Sequence, residues 1–364
     1  MPKPRIRIHL LAFALWLLPL TACGSKPSAG QPTMEITATR EQAVAAETPS
    51  AEGILPTPIP QGEGVDIEVP DPDPGKANVV GRIFWNESPA SNLGMLLCED
   101  MNTLTGCEGV QFDSRTNDDG VYIFASIDPG EYSLVVESLD GEHWLYVTAG
   151  LGLSAKKYSV AADNTLRIPD QSIYNFDLVT ISPEEDESVS EARPTLSWEP
   201  YPDAAYFLVY LTQENGSAIF MDEKTDALSI VPPKDLLSCE YTWQVEAYNN
   251  LGTKISEHDG YLHFKVTDQP LSCYLDVISP ANGAAVSGSE LILEWKAHDL
   301  AAYYRVHIWD SEYNDLLEGT RVDDTAVTVP LTLAPGEYTW FVTAYDEDDK
   351  QFAQSDVIDF TVTE

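Results

Sequence analysis

The sequence predicts an all-β chain, and three observations predict it. From Lys76 onward, short alternating apolar runs are separated by turn residues, the pattern of half-buried strands. No stretch has a convincing helical period, and 25 prolines and 22 glycines punctuate the 364 residues, as they do in chains built of short strands. The second half also repeats itself at a constant spacing. Ile181-Ser182-Pro183 recurs as Ile278-Ser279-Pro280, Leu196-Ser197-Trp198 as Leu293-Glu294-Trp295, Tyr206 as Tyr303, and Val209 as Val306. Pro233 and Leu236 recur as Pro330 and Leu333, and YTWQVEAY (241–248) recurs as YTWFVTAY (338–345). Each pair is 97 residues apart, so the second half contains two copies of one β unit.

The N-terminus is of a different kind. Lys3, Arg5 and Arg7 precede an apolar run from Leu10 to Leu20, a basic region followed by an apolar stretch of signal-peptide length. The run is shorter than the roughly 18 apolar residues a membrane-spanning helix needs. It ends in Leu20-Thr21-Ala22-Cys23, which resembles the lipobox of bacterial lipoproteins. The resemblance implies a diacylglycerol on the Cys23 thiol and cleavage between Ala22 and Cys23. Residues 1–22 are then the signal peptide, and acyl chains hold the protein to the membrane at about 0.8 kcal/mol per buried CH₂. The alternative is an ordinary secretory signal with a chance cysteine.

Residues 23–75 are rich in Pro, Thr, Glu, Ala and Gly and lack the apolar content to fold alone. They read as a disordered tether with a reach of about 40 Å.

The next unit, 76–179, opens with VVGRIFW (79–85) and continues through NLGMLLC (92–98), GVYIFASI (120–127) and GEYSLVVES (130–138), all read as strands. Asn117-Asp118-Asp119-Gly120 and Pro129-Gly130 are turn sequences, because Asx side chains close turns and Gly accepts positive φ. Val80-Gly81-Arg82-Ile83 and SRTNDDGVYIFASIDPGEYSLVVE resemble the carboxypeptidase regulatory-like domain. That resemblance implies a non-catalytic, transthyretin-like β-sandwich.

The two repeats, 180–270 and 271–364, resemble fibronectin type III or closely related immunoglobulin-like domains. The resemblance rests on Pro183/Pro280, Trp198/Trp295, Tyr206/Tyr303, Leu236/Leu333 and the Y-x-W-x-V-x-A-Y strand. In that strand Tyr241, Trp243, Val245 and Ala247 alternate onto one face, which is expected to be the core. Leu236 with Tyr241, and Leu333 with Tyr338, resemble a tyrosine corner, in which the phenol hydrogen-bonds to nearby backbone. The fold class is therefore all-β: three tandem β-sandwich modules after a lipoprotein signal peptide and a disordered tether.

With Cys23 assigned to the anchor, Cys98, Cys107, Cys239 and Cys273 remain. Disulfides are permitted in an exported chain. Sequence spacing favours Cys98 with Cys107 and Cys239 with Cys273; reduced thiols are the alternative. The sandwich resemblance implies that the last two strands of the first repeat form a hairpin, which brings Cys239 and Cys273 together. The second repeat has Gly336 in place of Cys239, so the bridge would belong to the first repeat alone.

The formal net charge of −39 argues against a nucleic-acid partner, which requires a basic surface. It also leaves membrane affinity to the acyl chains. No H-E-x-x-H, G-x-S-x-G, P-loop or strand-preceded G-x-G-x-x-G is present, so no catalytic residue and no cofactor is nominated. His9 lies in the signal, and His143, His258, His263, His298 and His307 show no ligand spacing. Asp346-Glu347-Asp348-Asp349, and Asp113 with Asp118 and Asp119, read as solvated turn carboxylates, with structural calcium as the alternative. Trp198, Trp243, Trp295 and Trp340 are assigned to the core. Trp85, Trp144, Trp309 and Tyr313 are not forced inside by the repeat and are the candidate ligand aromatics.

The function expected from the sequence is a non-enzymatic binding or scaffolding lipoprotein, lipid-anchored on the extracytoplasmic face of the cell membrane or outer envelope. Its partner is an envelope protein or a glycan. A carbohydrate-binding accessory protein is the alternative, and a cryptic hydrolase a distant one.

Overall fold

The computed structural model describes residues 67–102, 106–146, 148–149 and 154–363. The signal peptide, Cys23 and the tether up to residue 66 lie outside the described residues. Those that are described form strands, turns and bends, with no helix among them. Three hydrophobic cores, one per module, lie between paired sheets.

In the first module, Ala77–Trp85 is the central strand of one sheet. It pairs antiparallel with Val121–Ile127 and parallel with Asn164–Arg167 and Gln171–Ile173. The facing sheet runs Lys157–Val160, Gly130–Glu137, Gly94–Asn102, Gly106–Arg115. Val79, Ile83, Met95, Leu97, Tyr122, Phe124 and Leu134 fill the space between. The four runs read as strands are strands; Gly106–Arg115 is a further, mostly exposed edge strand whose Phe112 packs on the core but whose polar and Gly-interrupted sequence shows no sustained alternation. Gly81 has a steric reason: a Cβ there would lie 2.4 Å from the Tyr122 hydroxyl.

The spacer assignment of 23–75 runs too far. Segment 67–75 forms no strand but is tied to the module. Asn78 Nδ2 donates to the Pro70 carbonyl (2.6 Å), the Asp73 amide to Ser126 Oγ (3.0 Å) and the Gly75 amide to Asp163 Oδ1 (2.7 Å). These are polar anchors, which an apolar pattern does not reveal.

The second and third modules share one topology. In the second, Thr180–Ser182, Leu196–Trp198 and Ser229–Ile230 make one sheet. Glu187–Val189, Leu262–Val266, Cys239–Tyr248, Tyr206–Gln213 and Ala218–Thr225 make the other, in that order. In the third, Val277–Ser279, Ile292–Trp295 and Ala326–Thr328 face a sheet built on Ile358–Thr363, Gly336–Tyr345, Tyr303–Asp310 and Thr320–Val322. Register repeats as well: Tyr206 pairs with Tyr248 and Val209 with Val245, as Tyr303 pairs with Tyr345 and Val306 with Val342. The 97-residue offset fails only in the last strand, where Phe264 lies opposite Tyr241 but Phe360 lies opposite Tyr338. One residue has been lost between the last two strands.

Trp198, Trp243, Trp295 and Trp340 are all buried, as are Tyr241, Val245 and Ala247. Both tyrosine corners are closed: the Tyr241 hydroxyl donates to the Leu237 carbonyl (3.2 Å) and the Tyr338 hydroxyl to the Ala334 carbonyl (3.0 Å). Cys98 is bonded to Cys107 and Cys239 to Cys273, with Cα–Cα distances of 5.4 and 5.5 Å. Cys239 is the first residue of the strand Cys239–Tyr248.

Candidate functional site

The four candidate aromatics do not converge on one platform. Trp85 is half-buried, and its indole N–H donates to the Ile255 carbonyl of the second module (2.9 Å). Trp144 is half-buried against Gly94, where an added Cβ would lie 3.3 Å from its ring. Trp309 packs edge-on against Phe341, with ring centroids 5.0 Å apart. Tyr313 stands free, at 83% exposure.

Trp85 marks a junction that sequence reasoning missed. Asn86 and Glu87 follow it at φ 45° and 63°, making the tight turn into Ser88–Pro89. This turn meets the loop after Cys239–Tyr248. Asn249 Nδ2 donates to Asn86 Oδ1 (3.1 Å), Thr253 Oγ1 donates to Glu87 Oε1 (2.6 Å), and Asn86 Nδ2 donates to Asp203 Oδ2 (2.9 Å). The chain leaving the first module continues the contact. The Asn175 amide donates to the Ile255 carbonyl (3.1 Å), the Glu257 amide to the Asn175 carbonyl (3.0 Å) and the Leu178 amide to the Glu257 carbonyl (3.2 Å). Backbone pairing of this kind leaves no side-chain signature in the sequence.

Beneath it lies a buried charged cluster. Lys254 Nζ donates to Glu246 Oε1 (2.6 Å) and to the Glu257 carboxylate. The Tyr248 hydroxyl donates to Glu246 Oε2 (2.8 Å), and the ammonium sits 4.0 Å from the centre of the Tyr174 ring. Burial works to lower the Lys254 pKa, but the charges of Glu257 and Glu246 outweigh it and hold the ammonium above its ordinary value. Burial pushes the Tyr174 phenol up to about 12. Glu246 is buried on the face of its strand opposite the core; alternation alone would have placed it in water.

The second junction is closed by the Cys239–Cys273 bridge and by hydrogen bonds on either side of it. The Cys273 amide donates to the Ser238 carbonyl (3.2 Å), and the Gln354 amide of the third module donates to the Cys273 carbonyl (2.9 Å). The Tyr274 hydroxyl donates to the Glu214 carboxylate. His298 Nε2 lies 2.9 Å from the Ser272 carbonyl. A cleft of about 290 Å³ beside the bridge is lined by Glu214, Asn215, Tyr274, Gln354 and Asp356.

A larger groove, about 420 Å³, lies at the other end of the third module. Asp310, Tyr313, Glu337, Tyr338, Asp359 and Thr361 line it.

The acidic candidates at 118–119 and 346–349 are turn residues, whereas Asp113 lies within the strand Gly106–Arg115, opposite Leu96, and is not a turn carboxylate. Asp346 Oδ1 accepts from the Asp348 and Lys350 amides (3.0 and 2.9 Å), and Asn249 Oδ1 does the same for Leu251 and Thr253 in the other repeat (3.0 and 2.9 Å). Asn117 Oδ1, rather than an aspartate, closes the 117–121 turn. Among the described residues no group of three or more His, Cys, Asp or Glu side chains is placed to hold a metal ion.

No protein-family profile and no curated protein matches this chain. Solved structures do. The fibronectin(III)-like modules of Clostridium thermocellum CbhA are 15% identical over 51% of this chain and 94% of theirs, at a TM-score of 0.20. The FN1–FN3 domains of chicken CNTN1 are 12% identical over 81% and 100%, at 0.21. A two-domain fibronectin type III segment of chicken tenascin is 16% identical over 52% and 98%, at 0.21. At these scores the fold rests on the sheet order and registers above.

Proposed function

We propose that this chain is a lipid-anchored scaffold of the cell envelope, a non-enzymatic protein that holds a binding surface away from the bilayer. The supporting observation is that both junctions between modules are closed by direct contacts. The Asn86–Glu87 turn and the Asn175–Leu178 segment join the first to the second, and the Cys273–Gln354 contact beside the disulfide joins the second to the third. Relative motion is the default between domains; backbone pairing at the first joint and a disulfide at the second restrict it, so a surface on the last module keeps a defined direction relative to the first, which is what a scaffold requires. The tether and the Leu20-Thr21-Ala22-Cys23 box supply reach and anchor in this reading.

The test is fractionation of Cys23→Ser. The expected outcome is release into the soluble fraction or retention of the uncut signal. Normal processing with undiminished membrane association would remove the anchor from the account.

The carbohydrate reading loses three of its aromatics, since Trp85 is held by its hydrogen bond and Trp144 and Trp309 by packing. Of the four, Tyr313 stands exposed.

A further inference from the structure

Each joint between modules carries a histidine, and the two are bonded differently. At the second joint, His298 Nδ1 accepts from the Leu300 amide (3.2 Å) and Nε2 faces the Ser272 carbonyl (2.9 Å). One nitrogen accepts and the other donates, which is the pattern of a neutral imidazole. At the first joint, His143 Nδ1 lies 3.1 Å from Asp140 Oδ2 of the first module, and Nε2 lies 3.2 Å from Asp259 Oδ1 of the second. Ionised carboxylates only accept, and a neutral imidazole has one N–H. A neutral His143 would therefore turn a nitrogen lone pair on one of the two carboxylates. The imidazolium, with two N–H groups, satisfies both.

The ring is fixed from both sides. The His143 amide donates to Ser138 Oγ (3.0 Å), and its carbonyl accepts from the Ser138 amide (2.9 Å). Phe176, on the segment leaving the first module, stacks on the imidazole with centroids 4.2 Å apart. Asp140 Oδ1 accepts from the Glu142 amide (2.8 Å) and from Ser138 Oγ. Burial works to raise the Asp140 pKa, but these hydrogen bonds and His143 outweigh it and hold the carboxyl below its ordinary value. Asp140 thus stays charged where imidazoles exchange their proton. The His143 side chain is 21% exposed, which leaves the proton a path to solvent.

The neighbouring groups act in the same direction. Glu142 precedes His143 on its own turn. The departing segment also carries Tyr174 and Asp177, the latter turned to Ser256 Oγ (2.8 Å). The stretch that carries Asp259 also holds Glu257, bonded to Lys254, His258, whose Nδ1 lies 3.1 Å from the Gly260 carbonyl, and Tyr261. Each of these carboxylates favours a charged ring.

We propose that the first joint is a proton-operated latch: closing it takes up a proton, which His143 holds between Asp140 and Asp259. By linkage, the closed joint is favoured on the acid side and loosens as pH rises through the imidazole range. The backbone bonds of Asn175 and Leu178 to the second module carry no titrating group, so the joint loosens rather than parts. The second joint, with its neutral histidine and its disulfide, does not respond. This rests on the scaffold reading, to which it adds control of stiffness by the surrounding pH.

Hydrogen exchange on the full chain in detergent micelles with a chelator, at about pH 5.5 and about pH 8 and corrected for intrinsic rates, tests it. Protection of the Asn175, Leu178 and Glu257 amides, which bond across the joint, is expected to fall about fivefold at the higher pH. The Gln354 amide at the second joint is expected to hold. His143→Gln is expected to abolish the difference and Asp259→Asn to shrink it, with protection of the Cys239–Tyr248 strand unchanged in both as the check on folding. His258→Gln is expected to keep the difference. Three results would overturn the proposal: no pH difference in the unaltered chain, a difference that survives both His143→Gln and Asp259→Asn, or one that vanishes in His258→Gln. The anchor takes no part in this measurement, so the latch can fail while the anchored scaffold, decided by Cys23→Ser, stands or falls on its own.

Discussion

The second and third modules have the same core and different outer faces. Trp198, Trp243 and Tyr241 in one correspond to Trp295, Trp340 and Tyr338 in the other, in equivalent registers. Across the outer face, Glu246, Lys254 and Glu257 of the second module correspond to Thr343, Gln351 and Gln354 of the third. The charged set lies under the segment that leaves the first module, while Gln351 and Gln354 bond to each other (3.3 Å). Both modules stack a tyrosine pair at one end of this face, Tyr206 on Tyr248 and Tyr303 on Tyr345, each with a cation above it. The core sets the fold, and the outer face carries what distinguishes one position in the array from the next.

The strongest way to break this comparison is to remove one charge. Lys254→Ala leaves Glu246 and Glu257 buried without a countercharge and is expected to cost the second module about 3–5 kcal/mol. Converting all three residues to the third module's Thr, Gln and Gln is expected to be near neutral for the module, because no charge is then left buried. Hydrogen-exchange mass spectrometry reads each module separately. A triple variant as damaged as the single one would mean that the charges themselves, not their pairing, hold the fold.

The disulfide sharpens the same contrast. Cys239→Ser with Cys273→Ser is expected to lower the second module's stability by roughly 2–4 kcal/mol, measured by denaturant unfolding. The third module, with Gly336 at that position, is expected to keep its own stability.

Alkali acts on several groups at once. Tyr174 and Tyr241 are held at about 12 by burial, above their ordinary 10.0, and Lys254 is also raised. The folded state therefore keeps protons that the unfolded chain releases. The stability from the two tyrosines is full below about pH 10 and is lost as pH rises through 12, at about 1.4 kcal/mol per pKa unit per group, while that from Lys254 is lost over a higher range. The third module has Leu271 and Gln351 in place of Tyr174 and Lys254 and is expected to be less sensitive. Module-resolved exchange measured across that range checks the difference.

Much of the fold could be read from the sequence because burial has a period. The apolar alternation of YTWQVEAY and the recurrence of Trp198 as Trp295 point to core positions, and all of them are core. The candidate site was less legible. Trp85 stood out as an unassigned aromatic, but nothing in the chain says that its partner is a backbone carbonyl 170 residues away. Glu246 looked like a solvent-facing residue because the segment that buries it comes from another module. The Asn86-Glu87 turn gave only a weak signal: two consecutive polar residues between a strand and Ser88-Pro89. The repeat marks Tyr313 as a tyrosine the core does not need, but not that it sits at φ 64° where its counterpart Gly216 takes φ 81°.

The account's central claim is that the three modules act as one stiff unit. The most direct test is pulsed electron-paramagnetic-resonance distance measurement on the full chain, with spin labels replacing Asp119 of the first module and Glu347 of the third. Closed junctions predict a single narrow distance distribution. They also predict that it broadens when Asn86 and Glu87 are both replaced by glycine. A broad distribution in the unaltered chain, unchanged by those replacements, would contradict the claim.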